Sequence, residues 1–527
     1  MVRNEHHKSQ SHIEMLLPLF RIESEFKKSC LYGVGVGEEE IEEMAEKLNC
    51  SKGKLPFNFL GLTIGANMKR VKNWKPVIDK FNSKLSAWKA NCLSFAGRMV
   101  LAKAVTGALP NYYFSMYLAP KKVVNTLDAI RRDFIWGRKA GKHKIRWIAW
   151  DKMTRSKHNG SFGLGDLRSA NLTFMIKWWW KYKAKPEELW TKVIKSIHDS
   201  KRCYKFLPIN NNFAGIWKDI VRAGKELETM GVSVSKELAV ELGNGKSVKL
   251  WLDNWIGDKT CKEKYLALFK IATKKHATIA ESATVLQHKK QWNIGCDRPP
   301  ATDEEWAQWT SLMQQLNSVK IITKEDRWHW KTNSRGEFSV ATVRKQLSKI
   351  EAAEEEETWK YWNQWTPPKV NYFTWRVSLT RISVKQELVR RRIPLSNQLC
   401  SRCGLQEETV DHLICGYMRS RSIWKNILTW LKLPASTEFR SCKEVLEFVN
   451  KLTGSSEWKK IINMSIQATI WNIWKSRNDK EFEGYLRNDN EITETIKMDS
   501  FIWLKSRSVK NIVWERWADF NIRDIVR

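Results

Sequence analysis

At 527 residues the chain exceeds one ordinary hydrophobic core, and its 42% hydrophobic and 28% charged residues exclude wholesale disorder. Lysine and arginine number 91 against 57 acidic residues, giving a net charge of +34 and a pI near 9.7, so the chain repels itself until a polyanion neutralises it. Nucleic acid is the natural partner, and no membrane span is expected, because the most apolar stretch, residues 172–180, is short and interrupted by Lys177.

The first residues are polar, with His6, His7 and Lys8, and the apolar run at residues 15–20 is too short for a secretory signal. An intracellular location, nucleus or cytoplasm, is therefore expected. There the ten cysteines stay reduced, so clustered ones read as metal ligands rather than disulfides. The 29 tryptophans are mostly expected in cores, with some beside lysine or arginine serving as stacking platforms.

In chain order, Ile41, Met44 and Leu48 recur at helical spacing among acidic residues and predict a short amphipathic helix. Residues 55–65, aromatic and branched between Pro56 and Gly65, predict a strand or hairpin. Residues 74–109 predict two helices broken near Asn91 and Gly97, with Val77, Ile78, Phe81, Leu85 and Trp88 on the apolar stripe. Lys75, Lys80, Lys84 and Lys89 fall largely off it and form a basic face suited to phosphates.

Residues 125–136 predict another helix with Asn125 as N-cap and Arg131 and Arg132 near its end. Residues 160–165 are a glycine-rich turn without the lysine and hydroxyl of a nucleotide loop. Gly243-Asn244-Gly245 suggests a hairpin whose second strand carries Leu250 and Trp251. The acidic run at residues 351–357 predicts a solvated linker. The remainder is helical in pattern, so the expected fold is mainly α with small β-hairpins in several domains.

Cys400-x2-Cys403-x8-His412 is the sharpest chemical feature. The x2 spacing lets two thiolates face one ion from a tight knuckle while the imidazole returns on the next element, a structural zinc arrangement. Arg402 would favour the thiolates, and on a regular helix Cys415 would share the His412 face as the fourth ligand.

Phe59 to Gly65, Trp74 to Phe81, Leu85 to Lys89 and Ala96-Gly97-Arg98, taken with the cysteine cluster, resemble the ORF2 polyprotein of plant-type LINE (non-LTR) retrotransposons. The likeness continues through Leu109-Pro110-Asn111-Tyr112-Tyr113, residues 130–137, Lys144-Ile145-Arg146-Trp147, and Gly243-Asn244-Gly245 with Trp251, Asp253 and Trp255. It covers most of residues 28–480. Pro367-Pro368-Lys369, Asp411-His412-Leu413 and Ile423-Trp424 resemble the zinc-binding domain of these reverse transcriptases. That family shows His-x4-Cys, where this chain has Tyr417 in the aligned place.

The resemblance implies that Phe59, Leu60 and Gly61 form a primer-grip hairpin and that the helices of residues 74–109 are a thumb. Contacts to RNA or DNA backbone are then expected from Lys75, Lys80, Lys84, Lys89, Arg98, Arg131 and Arg132. The implied order is the end of a palm (1–50), hairpin and thumb (51–137), a basic connector (138–350), the acidic linker (351–357), the zinc-binding domain (358–433) and a helical tail (434–527). The family's polymerase uses an Asp-Asp turn to hold Mg²⁺. This sequence contains no Asp-Asp pair, no recognisable acidic set of a ribonuclease H beyond Trp471 and no expected Mg²⁺ site. The expected function is sequence-independent nucleic-acid binding by a reverse transcriptase fragment, inactive alone. Two other readings stay open: a subunit completing a polymerase in trans with other retrotransposon-derived chains, and a translated degenerate copy without a role.

Overall fold

A computed structural model describes residues 30–33, 35–137, 145–157, 160–199, 204–257, 259–286, 289–353, 359–510 and 512–521. The polar N-terminus, Lys144 and the glutamates of residues 354–357 lie outside the described residues. The chain forms two compact units, Met1–Pro76 and Val77–Arg527. The fold is mainly α, with four two-stranded sheets among the described residues.

In the first unit β1 (Cys30–Tyr32) pairs in parallel with β2 (Ser51–Gly53) across α1 (Glu38–Lys47). α1 puts Glu38, Glu39 and Glu40 at the positive end of its dipole and buries Ile41 and Ala45. β3 (Phe57–Phe59) and β4 (Leu62–Ile64) form the expected hairpin. Its two-residue loop, Leu60 at φ 48° and Gly61 at φ 81°, has the doubly left-handed geometry that matches strand twist, which a glycine at the second position accommodates without strain.

The next helices in the chain are α2 (Lys75–Lys84), α3 (Ala87–Cys92) and α4 (Phe95–Ala108), of which all but Lys75 and Pro76 belong to the second unit. Three helices thus stand where two were expected. Ser86 and extended Leu93 interrupt the chain, and Gly97 is no break: its N–H is taken by the Ser94 cap of α4. α5 (Lys121–Trp136) starts four residues before the expected Asn125 cap. Pro120 supplies the extended residue ahead of the first turn, and Val123 and Val124 extend the buried stripe.

One hydrophobic core gathers residues from Leu172 to Leu347, with Trp251 and Trp330 fully buried. α6 (Leu167–Ala184) runs through it, buried on most sides, and packs on α7 (Ile216–Thr229). β5 (Leu238–Glu241) pairs not with residues 249–251 but with the distant Arg327–Trp330 strand, so the expected local hairpin is not formed. The Gly243–Ser247 turn instead wraps the Asp326 carboxylate, which accepts from the backbone N–H of Gly243, Gly245 and Ser247 at 2.8–3.0 Å. Four donors on one carboxylate, counting the Ser247 hydroxyl, outweigh a ladder of a few residues. A helix spans Val340–Ala353, so the first three residues of the acidic run are helical.

Beyond residue 359, α8 (Pro368–Ser378), α9 (Lys385–Arg390), α10 (Met418–Trp430), α11 (Cys442–Lys451), α12 (Ser456–Asn478) and α13 (Asp489–Arg507) follow. α12 is the central rod, touched by α8, α10, α11 and α13. Two of its buried amides reach partners outside the helix: Asn363 Nδ2 donates to Asn463 Oδ1 (3.2 Å), and Asn472 Nδ2 to Asp499 Oδ2 (3.0 Å). No helix among the described residues is long and apolar enough to cross a membrane.

Candidate metal centre and nucleic-acid interface

A small knuckle is built by Leu399 bridging Glu407, with Cys400 N–H donating to Gln406 O at 2.8 Å and Gly404 N–H to Cys400 O at 2.8 Å. Cys400 and Cys403 stand at its bend. His412 arrives on a turn whose N–H is capped by the Thr409 hydroxyl at 3.0 Å. The ligating atoms of Cys400, Cys403 and His412 all lie within 4.8 Å of one another, and Cys403 Sγ is 3.4 Å from His412 Nε2. Tetrahedral Zn²⁺ with ordinary bond lengths separates a thiolate from an imidazole by about 3.6 Å. The donor set and spacing fit the ion.

Electrostatics favour the ligating forms of two of the three. Burial opposes the Cys403 thiolate, but hydrogen bonds from the backbone N–H groups of Leu405 and Gln406, from the Cys400 thiol and from its own N–H together lower its pKa. Burial, then the neighbouring Arg402, lowers the His412 pKa, which keeps the imidazole neutral at physiological pH. Cys400 is the exception, because burial raises its pKa. A bound cation would supply the missing charge.

Cys415 is not brought into this set. Residues His412–Gly416 form a π-helical turn, closed by Tyr417 N–H on His412 O at 2.7 Å, so the regular helix that would align Cys415 with His412 is absent. Cys415 is buried beside Cys442, whose pKa is pushed well up by contact with the Cys415 thiol, then by burial and Asp411. Tyr417, in the place of the family's cysteine, donates its hydroxyl to Arg402 O at 3.3 Å. Arg402 is buried over the Tyr417 ring, 4.6 Å from its centroid.

Of the expected backbone contacts, Lys75, Lys80 and Lys84 are exposed along α2, and Lys89 is half-buried with Nζ donating to Ser83 O. Phe59 and Leu60 stand out at the hairpin tip, 58% and 74% exposed, beside Gly61. Arg98 is half-buried and bonded to Ala90 O at 2.9 Å, and Arg132 is half-buried over the Trp150 ring. Arg131 corrects the expectation. It is fully buried and donates to Asp128 Oδ1 (2.7 Å) and to the carbonyls of Leu164 (3.1 Å) and Gly165 (2.9 Å). Those carbonyls belong to the glycine-rich turn, so the turn's role is to receive an internal arginine, and Arg131 has no face toward a ligand.

A signal that the expectations above leave unused is the run Arg390-Arg391-Arg392 just after Glu387. In the structure Glu387 is buried and bound by Arg381, Arg390 and Arg391 together.

Residues 338–424 match the family described as zinc-binding in reverse transcriptase. An Arabidopsis thaliana protein named as a ribonuclease H protein is 25% identical over 357 residues, which is 67% of this chain and 55% of that protein. An uncharacterized mitochondrial protein of the same plant is 29% identical over 154 residues, 29% of this chain and 96% of the relative. The chain spans about half the length of the first of these relatives. The knuckle falls inside the matched segment with its three donors assembled, and the chain is a reverse transcriptase-derived protein carrying the zinc-binding domain of that family.

Proposed function

We propose that this chain is a nucleic-acid-binding part of a LINE-type reverse transcriptase, lying beyond the palm, and that these 527 residues alone do not polymerise DNA. One observation carries the reading: a preassembled Cys-Cys-His donor set sits inside the segment that matches the reverse transcriptase zinc-binding family. A Zn²⁺ held by Cys400, Cys403 and His412 supplies folding free energy by tying the knuckle to the turn at His412. The protein's own residues do the rest. The thiolates are oriented by backbone N–H groups, and the exposed lysines of α2 offer charge to phosphates without reading bases.

The test is fluorescence anisotropy with labelled duplex DNA, single-stranded DNA and RNA across a salt series, beside primer extension with Mg²⁺ and deoxynucleotides. Binding should differ little between sequences and fall with a log–log slope of several units in salt. A flat salt response overturns the binding mode. Template-dependent extension above a buffer control overturns the inactive-alone reading.

A further inference from the structure

Three guanidinium groups converge on a single carboxylate within the zinc-binding segment, and a fourth is linked to them. Glu387 accepts from Arg381 Nη1 at 3.1 Å and from Arg390 Nη1 at 2.7 Å, and Arg391 closes on the same carboxylate. Arg391 also lies over the Trp147 ring, 4.6 Å from its centroid, and Arg376 lies over the same ring at 5.2 Å. Arg376 in turn donates Nε to Arg381 O at 2.9 Å. The group therefore forms one connected array carrying four positive charges and one negative.

Glu387 is buried, whereas the Arg390 side chain is 60% exposed and that of Arg381 40%. One carboxylate shared by three guanidinium groups cannot occupy their fifteen-odd N–H donors, since each group carries about five in a planar fork. Donors remain on the solvent side, already held in place by their inner bonds. Arg376 and Arg391 repel each other, and burial followed by that repulsion pushes the Arg376 pKa down to about 10. The array is thus short of negative charge and preorganised, the state in which binding an anion costs the least ordering.

We propose that Arg381, Arg390 and Arg391, fixed by Glu387 and by the Trp147 platform that Arg376 shares, form a docking surface for the phosphodiester backbone of nucleic acid. The Trp147 ring is covered by guanidinium groups, so it orients them rather than stacking on bases, and the surface grips phosphates without sequence preference. The inference rests on the nucleic-acid-binding reading above and places part of that binding on the zinc-binding segment rather than on α2.

The experiment compares the full chain with Arg381→Gln/Arg390→Gln, which leaves Glu387 its Arg391 partner, and with Lys320→Gln/Lys324→Gln, an equal charge change at exposed residues elsewhere. Duplex DNA, single-stranded DNA and RNA oligonucleotides are the probes. The arginine variant should bind at least about tenfold more weakly near 0.1 M salt, and its salt slope should be shallower by roughly 1.4 to 1.8, two phosphate contacts. The lysine variant should show neither change. Unequal losses among the three probes say which polymer uses the surface. A variant that fails to fold is replaced by arginine modification with phenylglyoxal on the wild-type chain, where saturating oligonucleotide should slow reaction at Arg390 at least threefold. Equal binding by both variants, unprotected Arg390, or displacement of the oligonucleotide by polyglutamate at equal charge overturns the proposal alone. A wild-type chain that binds no oligonucleotide overturns the nucleic-acid reading and this surface with it.

Discussion

Trp251 and Trp330 lie fully buried in a core drawn from residues 172–347, whereas in the knuckle residues 394–399 and 404–407 are all exposed and Cys400 and Arg402 are buried between them. That core holds its shape by removing large apolar side chains from water. The knuckle has almost no apolar interior; Glu408 pairs with Arg477 of α12 through two bonds of 2.9 and 3.1 Å, and on the proposed reading a metal ion on the Cys-Cys-His set would supply the other cross-link. The contrast teaches that a perturbation should be read by region, because the same substitution chemistry acts on different sources of order.

The largest expected effect follows from Cys403→Ser or chelation. Structural zinc sites in small modules are worth about 10–16 kcal/mol, so hydrogen exchange at residues 398–417 should accelerate at least about a hundredfold while residues 238–252 keep their protection. Equal losses in both regions would break the contrast. Trp251→Ala is the reciprocal change, expected to cost about 3–5 kcal/mol in denaturant unfolding of the core of residues 172–347. Zinc stoichiometry by elemental analysis should stay unchanged; loss of metal would show that the regions share one source of stability.

Arg477→Met sharpens the picture by stranding Glu408. Breaking such a buried pair should cost about 3 kcal/mol near neutral pH. Burial pushes the Glu408 carboxyl up and Arg477 pulls it back, so in the variant burial and the nearby Glu481 are opposed only by the weaker pull of Lys385. The folded variant then holds a proton that the unfolded chain releases, and its deficit should grow as pH rises above the ordinary carboxylate range and shrink as pH falls toward it. Thermal unfolding at pH 5 and pH 8 checks this, and a deficit independent of pH refutes the account. The smallest effect is expected of Cys415→Ser, about 1 kcal/mol with zinc still at one per chain. Reduced metal would mean that Cys415 turns from Cys442 to become the fourth ligand.

Short-range features were legible in the sequence. The helix Glu38–Lys47, the hairpin around Leu60-Gly61 and the Cys400, Cys403, His412 spacing all depend on residues within a few turns of one another. What stayed hidden depends on distant partners. β5 finds its strand at Arg327–Trp330, and the Gly243 turn finds Asp326 across 83 residues, which no local pattern announces. Arg131 reads as a surface cation because arginine usually is one. Asp128 one turn away balances its charge, but its Nη2 donors are satisfied by the carbonyls of Leu164 and Gly165, 33 and 34 residues on. The π-helical turn at His412 breaks the period on which the Cys415 expectation relied.

The turn at Gly160 carries a further consequence, for the order in which the chain is made. Trp375 Nε1 donates to Gly160 O across 215 residues, and a side chain at Gly160 would strike the Trp359 backbone at 2.2 Å. Phe162 beside it is capped by Trp375 and Tyr372, with ring centroids 4.2 and 4.7 Å away. At roughly 5–20 residues per second, a ribosome needs about 10–40 s to reach Trp375 after making Gly160. For that interval Phe162 has only the earlier Phe95 ring beside it, 6.0 Å away, and lacks its Trp375 and Tyr372 cover, and closing so long a loop is a late step in folding. Nascent chains arrested before residue 359 should therefore display this aromatic surface to chaperones, and longer ones should withdraw it.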